Sequence, residues 1–335
     1  VVEHRLVIDA THLESWSSDW SEVRTLVLGL GAAGFAAADT LVELGSSVLI
    51  ATEETTSDFE RLARVIGAEL HVGSLETVPD AVAAFAPDLV IVSPGFPVDA
   101  PVLAWARTAG IAVWGDVELA WRVRDKVRAA NWLAVTGEGS ALTTDLALHI
   151  LLSAGKRAVI VGDDAPSILD AVRDPAGFDI LLVELGARRL RHATASPVSP
   201  LASVCVAADA DDDVLGRIYE NTREACIYNK ADIATMHMVE EADVVEGCRA
   251  IGFDLGSPGP SDLGIVDGII VDRAFHDDRQ RSALELTTHG ELAAVGLSDR
   301  AGVTSVLAAS ALARAVGVPP REISAAIATF GARQG

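Results

Sequence analysis

The chain has 335 residues, half of them apolar and 22% charged, which is enough for about two domains with separate cores and unlike a disordered composition. Its 26 basic residues stand against 48 acidic ones, and the net charge of -22 excludes a broad phosphate-backbone interface and disfavours an anionic membrane surface. Cys205, Cys226 and Cys248 show no CxxC pair and no metal-ligand spacing, so they read as reduced thiols of a cytoplasmic protein.

Residues 1–5 are not followed by the apolar stretch of a signal peptide, and the longest apolar runs are strand length, which predicts no membrane insertion. The absent initiator Met suggests a trimmed chain. Residues 1–21, with Trp16 and Trp20 among Ser, Asp and Glu, read as a tail or a packing arm. From Val23 the pattern is regular. Strands are predicted at 25–28, 47–50, 69–71, 88–92 and 111–114, alternating with helices at 35–44, 57–66, 79–85 and 100–109 and one holding Trp121. Apolar runs alternating with helical patterns indicate a parallel sheet covered by helices, forming a first domain over 22–130. A second set of units, 131–335, starts with a strand at 132–135 and a helix at 141–153. It continues with strand 157–161, helix 166–173 and strand 180–183. Further strands are expected at 202–206, 224–228, 249–253 and 268–272, and helices at 301–316 and 320–330. The fold class is α/β, twice.

Between the first strand and helix, Gly29-Leu30-Gly31-Ala32-Ala33-Gly34 fits GxGxxG. The first glycine permits a tight turn, the second lets a phosphate approach the backbone, and the third lets helix pack on strand. Amides at the helix start then face an anion. A nicotinamide cofactor would also require a carboxylate ending the second strand, where Thr52 stands with Glu53 and Glu54 just beyond. That weakens an oxidoreductase reading without removing it.

Three stretches in order along the chain carry a family resemblance. They are 27–34 with the glycine turn, Val92-Ser93-Pro94-Gly95-Phe96-Pro97, and Val113-Trp114-Gly115-Asp116-Val117-Glu118-Leu119. Together with Gly216-Arg217-Ile218-Tyr219-Glu220-Asn221 they resemble the D-glutamate-adding Mur ligases. The resemblance implies a Rossmann-like sugar-nucleotide domain followed by a P-loop-like central ATPase domain. It places Gly29, Gly31, Ala32, Ala33, Gly34, Thr52, Ser93, Pro94, Gly95, Gly115 and Asp116 at a uridine diphosphate sugar. Thr52 stands where the family often has an acidic residue near uracil.

The same resemblance marks departures. The phosphate loop T-G-T-N-G-K-[ST]-T reads Thr136-Gly137-Glu138-Gly139-Ser140-Ala141-Leu142-Thr143, so Ala141 replaces the lysine and Leu142 the magnesium-binding hydroxyl. Glu138 and Asp145 add carboxylates, and like charges about 4 Å apart at an effective dielectric near 20 oppose one another by roughly 4 kcal/mol. Glu184 matches the family's metal-binding glutamate. The serine-rich stretch after it, the metal-binding histidine, the carbamylated lysine (Leu215 here) and the H-N-x-x-N segment (301–305 here) are all replaced. A third domain, which the family begins near residue 330, is expected to be absent.

Other candidates have plainer readings. The aspartates at 209 and 211–213 suggest a solvated loop, and His149 and His192 lack partners at ligand spacing. Arg188, Arg189 and Arg191 could pair with an anionic ligand or with the acidic surface of a partner, or form a structural ion pair. The expected function is that of a non-catalytic Mur ligase homologue in cell-wall precursor synthesis, binding a UDP-N-acetylmuramoyl precursor or a synthesis protein. No cofactor is expected. A working ATP- and Mg-dependent D-glutamate ligase, a nicotinamide oxidoreductase and an interaction scaffold are the alternatives. Oligomeric state is not legible.

Overall fold

The computed structural model describes residues 8–193, 197–208 and 213–331. The chain forms two compact units. The first contains the described residues up to Ala129, together with Ser167–Gly177 and the described part of Arg191–Pro197. The chain leaves the first unit after Ala129 and returns to it twice, at Ser167 and at Arg191.

In the first unit, β1 (Arg24–Leu28), β2 (Ser47–Thr52), β3 (Glu69–Val72), β4 (Leu89–Val92) and β5 (Ala112–Gly115) pair in parallel in the order β3-β2-β1-β4-β5. The crossovers carry α1 (Ala32–Glu43), α2 (Ser57–Ile66), α3 (Asp80–Phe85) and α4 (Pro101–Thr108), and α5 (Asp116–Arg122) follows β5. The start and stop of α2 are local: Thr56 Oγ1 accepts from the Phe59 amide, and left-handed Gly67 ends the helix. Leu26, Leu28, Leu49, Val90 and Val92 fill the core, and burying each contributes about 1.5–3 kcal/mol. The strand order reverses between β1 and β4. In open α/β sheets a crevice opens at the carboxyl ends of such a pair, and this is where both family motifs end.

The segment before Val23 is a packing arm from residue 8 onward. Ala10, Leu13 and Trp20 are buried, and the Ile8 amide donates to Asp88 Oδ1 at 3.0 Å. The Trp16 amide donates to Asp125 at 2.7 Å, and Lys126 lies over the Trp16 ring.

The second unit contains β6 (Asn131–Thr136), α6 (Ser140–Ser153) and β7 (Ala158–Gly162). Between β7 and β8 (Ile180–Glu184) lies α7 (Ile168–Arg173), which belongs to the first unit. Its Arg173 donates to Asp39 at 2.6 Å and Glu43 at 2.9 Å on α1. Then follow α8 (Ala187–Leu190), β9 (Ala202–Cys205), β10 (Ala225–Asn229), α9 (Ile233–Glu241) and β11 (Arg249–Phe253). The sheet closes with β12 (Asp262–Val266), β13 (Ile269–Asp272) and β14 (Leu284–Thr288), and the chain with α10 (His289–Ala294), α11 (Arg300–Ala315) and α12 (Pro320–Ile327).

The nine strands run in the order β14-β13-β12-β11-β10-β9-β6-β8-β7. They are parallel from β7 to β12, and β12-β13-β14 is an antiparallel meander. Small residues on α11 (Ala308, Ala309, Ala311) lie in one buried cluster with Leu146 and Ile150 of α6. Tyr219 is fully enclosed; its hydroxyl donates to the Ile227 carbonyl at 2.7 Å and accepts from the Cys205 amide, tying β9 to β10. No helix among the described residues is long and apolar enough to cross a membrane. The aspartates at 209, 211 and 212 lie outside the described residues.

Candidate functional site

The first unit's crevice is built from the β1–α1 turn upward. Gly29 has φ +90°, and its amide donates to Ala51 O at 2.9 Å, fixing the turn against β2. Gly31 caps α1 with no side-chain hydrogen bond, so the first amides of a twelve-residue helix have neither an intrahelical nor a capping partner from their own turn. Gly34 has no room for a side chain: a Cβ there would collide with the Gly29 carbonyl oxygen and lie 2.6 Å from Ser93 Oγ. That absence of a side chain lets Ser93 donate its hydroxyl to Gly29 O at 3.1 Å, joining the two loops.

A cavity of 670 Å³ lies over this junction, lined by 29–34, 52–54, 75–76, 93–97 and 99–101. Gly29, Gly31, Ala32, Ala33, Gly34, Thr52, Ser93, Pro94 and Gly95 all reach its wall. Gly115 and Asp116 do not line it. Asp116 is the buried first residue of α5, and Gly115 faces His192.

The wall also contains Glu53, Glu54, Glu76 and Asp99, while among the described residues no Lys, Arg or His lines it. A phosphate there would depend on backbone amides and the helix dipole, not on side-chain cations. Thr52 is turned inward, its hydroxyl donating to Glu54 O at 2.8 Å, and Glu53 accepts from the Leu75 amide at 3.3 Å. These contacts hold the acidic segment as a shaped wall.

Sequence reasoning did not link His192 to this wall. Its Nε2–H donates to the Phe96 carbonyl at 3.0 Å, bracing the 93–97 turn from behind. Burial pushes the imidazole below the usual histidine range, against the pull of the Phe96 bond and of Asp116. No spacing signal could reveal a partnership across 96 residues. His149 is structural, bonded to Ala326 O and Thr329 Oγ1 and set edge-on to Phe330.

The second unit repeats the geometry with other chemistry. Gly137 and Gly139 have φ +88° and +87°, and Gly139 caps α6 with no side-chain bond. Two loop amides that could face a phosphate are taken by carbonyls: Glu138 N–H by Ala207 O at 2.9 Å and Ser140 N–H by Gly137 O at 3.2 Å. Ser140 Oγ donates to Glu184 Oε1 at 2.6 Å. A cavity of 380 Å³ is lined by Glu138, Asp163, Asp164, Glu184 and Leu215 among others, and among the described residues no Lys, Arg or His lines it.

Ala141 is exposed and outside the lining, Leu142 packs on the core, and Thr143 is buried with no partner for Oγ1 among the described residues. Asp145 is exposed and also outside the lining, so the added negative charge comes from Asp163 and Asp164, not from Asp145 as expected. Arg189 pairs with Asp163, which also accepts from the Gly186 amide at 2.8 Å, so this arginine is structural. Glu184 belongs to no cluster of three or more groups that could hold a metal ion among the described residues. This donor set does not fit a magnesium–nucleotide held in the usual way. The phosphates would meet carboxylates, and neither a lysine nor a hydroxyl stands at the two positions that would receive them.

Residues 23–115 match the family profile described as Mur ligase MurD-like, N-terminal domain. The UDP-N-acetylmuramoylalanine–D-glutamate ligase of Leifsonia xyli is 47% identical, over 95% of this chain and 66% of the relative. That of Streptomyces avermitilis is 40% identical, over 93% of this chain and 68% of its own length. The chain belongs to the D-glutamate-adding Mur ligase family. It spans about two thirds of the length of these curated relatives.

Two solved Mur-type ligases share the fold. A murein peptide ligase from Psychrobacter arcticus superposes with a TM-score of 0.55 at 15% identity, covering 92% of this chain and 68% of that one. The UDP-N-acetylmuramate:L-alanyl-gamma-D-glutamyl-meso-diaminopimelate ligase from Neisseria meningitides gives 0.54 at 13% identity, covering 92% and 98%. The α/β architecture, with a Rossmann-like unit followed by a P-loop-type unit, is thus that of the Mur ligases.

Proposed function

We propose that this cytoplasmic family member binds a uridine diphosphate–sugar precursor of peptidoglycan in its first unit, and does not use ATP to activate a carboxylate in its second. The observation carrying this reading is the second unit's cavity, where among the described residues four carboxylates stand and no lysine does. The first unit's cavity supports the binding half, because the glycine turn and the Ser93 loop meet over the free start of α1. Its acidic wall suits hydroxyl groups of a ribose or sugar better than a second phosphate contact. In this reading the protein acts by sensing or holding a precursor, or by engaging another protein of cell-wall synthesis.

Kinship favours a second reading, since relatives up to 47% identical carry the ligase name. A working UDP-N-acetylmuramoyl-L-alanine:D-glutamate ligase would require ATP and Mg to be held by groups other than those at 141 and 142. Calorimetric titration separates the two. The sugar nucleotide is expected to bind, and ATP with magnesium to give no heat. Magnesium-dependent ATP hydrolysis stimulated by the sugar nucleotide would overturn the first reading and establish the second.

Restoring the loop gives a further prediction. Ala141→Lys with Leu142→Thr is expected to raise ATP affinity at least about tenfold, equivalent to about 1.4 kcal/mol. It should also lower stability modestly, because Leu142 leaves the core. Unchanged ATP binding in that variant would show that the acidic lining alone repels the nucleotide.

A further inference from the structure

Outside both cavities, two of the three cysteines meet. Cys226 is the second residue of β10 and Cys248 directly precedes β11, which runs parallel beside it with Ala225 opposite Arg249. Their sulfurs are 3.7 Å apart. Cys226 is buried and Cys248 half-buried, whereas Cys205 is fully buried elsewhere, its thiol directed to Ala207 O.

We propose that Cys226 and Cys248 form a peroxide-responsive dithiol, with Cys248 as the attacking thiol and Cys226 as the resolving one, closing a reversible disulfide between β10 and β11. Geometry assigns the roles: only Cys248 is open to a small oxidant, and Cys226 lies behind it within contact distance. Electrostatics supports the same order. The contact with the Cys226 sulfur pulls the Cys248 thiol below its ordinary range, while the same contact and burial push Cys226 up.

The chemistry balances with a hydroperoxide as oxidant. The Cys248 thiolate attacks the distal peroxide oxygen, the O–O bond breaks, and water or an alcohol leaves with Cys248 as sulfenic acid. The Cys226 sulfur then displaces hydroxide from that sulfur, and its proton leaves with the hydroxide as water. Two thiols lose two electrons in total, and the peroxide gains them. The register sets Cys226 opposite Ala250, two residues beyond Cys248, so bringing the sulfurs from contact to bonding distance takes a local shift of the chain entering β11 as well as side-chain rotation.

The cross-link forms at the amino ends of β10 and β11. The second unit's cavity lies at the opposite, carboxyl ends of β6 and β8, so oxidation acts on the sheet without entering that cavity. Closing the loop that contains α9 restricts the unfolded chain, so the oxidised protein is expected to melt higher, and a thiol reductant should restore the lower Tm.

The test uses the full chain treated with a few equivalents of hydrogen peroxide, then denatured and counted for thiols. The count is expected to fall from three to one. Peptide mapping should show Cys226 joined to Cys248, with the mass reduced by two hydrogens. Cys226→Ser should leave a sulfenic acid at Cys248 that a cyclic dione traps, and Cys248→Ser should stop oxidation. A count that stays at three, a cross-link involving Cys205, or trapping at Cys205 would overturn the proposal. The serine variants replace a thiol by a group of similar size, and circular dichroism confirms that each is folded before its result is read.

Discussion

Replacing Arg314 with alanine is expected to cost the second unit about 3–5 kcal/mol, lowering its Tm on the order of 10 °C in a thermal melt. The loss comes from what remains behind. Asp272, at the end of β13, is fully buried, and its Oδ2 accepts from Arg314 Nε at 2.8 Å. Its Oδ1 accepts from the Ala274 and Phe275 amides, so the carboxylate also shapes the turn after the strand. The guanidinium in turn donates to the carbonyls of Phe275 and Val318, linking α11 to that turn and to the chain after the helix. Removing the cation leaves a buried charge held by two amides and, at longer range, by Arg249 at the same turn. The double variant Arg314→Met with Asp272→Asn should recover at least half of the loss. It keeps an oxygen acceptor for the two amides and removes the buried charge. Equal losses in the single and double variants would mean that packing around the arginine stem, not the ion pair, holds this corner.

That corner is also where the sequence was least legible. Runs such as 25–28 and 47–52 announce themselves because both faces are buried and the residues are continuously apolar. The helix at 57–66 could be bounded to the residue, since Thr56 and Gly67 act within one turn of it. The first helix begins three residues before expectation, at Ala32, because the glycine turn is itself the helix start and not a loop before it. By contrast β12 and β14 were missed. They are five residues each, sit among Gly, Pro and Asp, and are held by antiparallel partners that no local pattern specifies. The helix at 233–241 was missed as well, since it buries only Thr235 and shows no apolar stripe.

The site divided along the same line. The glycine turn and the Ser93 loop were legible because their backbone needs restrict residue type. Asp163 and Asp164 were not: they matter because β8 is inserted between β6 and β7, an order in the sheet that the linear order does not reveal. Asp145 misled for the converse reason, being near the loop in sequence but on the outer face of α6.

The glycine turn offers the sharpest separation between a shape that is kept for folding and one that is kept for a ligand. Gly34→Ala is expected to destabilise the first unit by about 1–3 kcal/mol, because its Cβ meets a backbone carbonyl that cannot rotate away. To relieve the collision α1 must move off β1, and the Ser93–Gly29 hydrogen bond that joins the two loops breaks with it. Sugar-nucleotide binding should be lost at the same time.

Gly31 is different. A Cβ there meets nothing within 4 Å, and its φ of -111° is open to any residue. Gly31→Ala should therefore leave the Tm nearly unchanged, with at most about 1 kcal/mol lost at the cap. It nonetheless places a methyl group on the cavity wall where a phosphate would approach the α1 amides. If the first unit holds a diphosphate, calorimetry on Gly31→Ala will show affinity weakened at least about tenfold at constant stability. If affinity is unchanged while Gly34→Ala still unfolds the unit, the turn serves only to pack helix on strand, and the precursor-binding half of the proposed function fails.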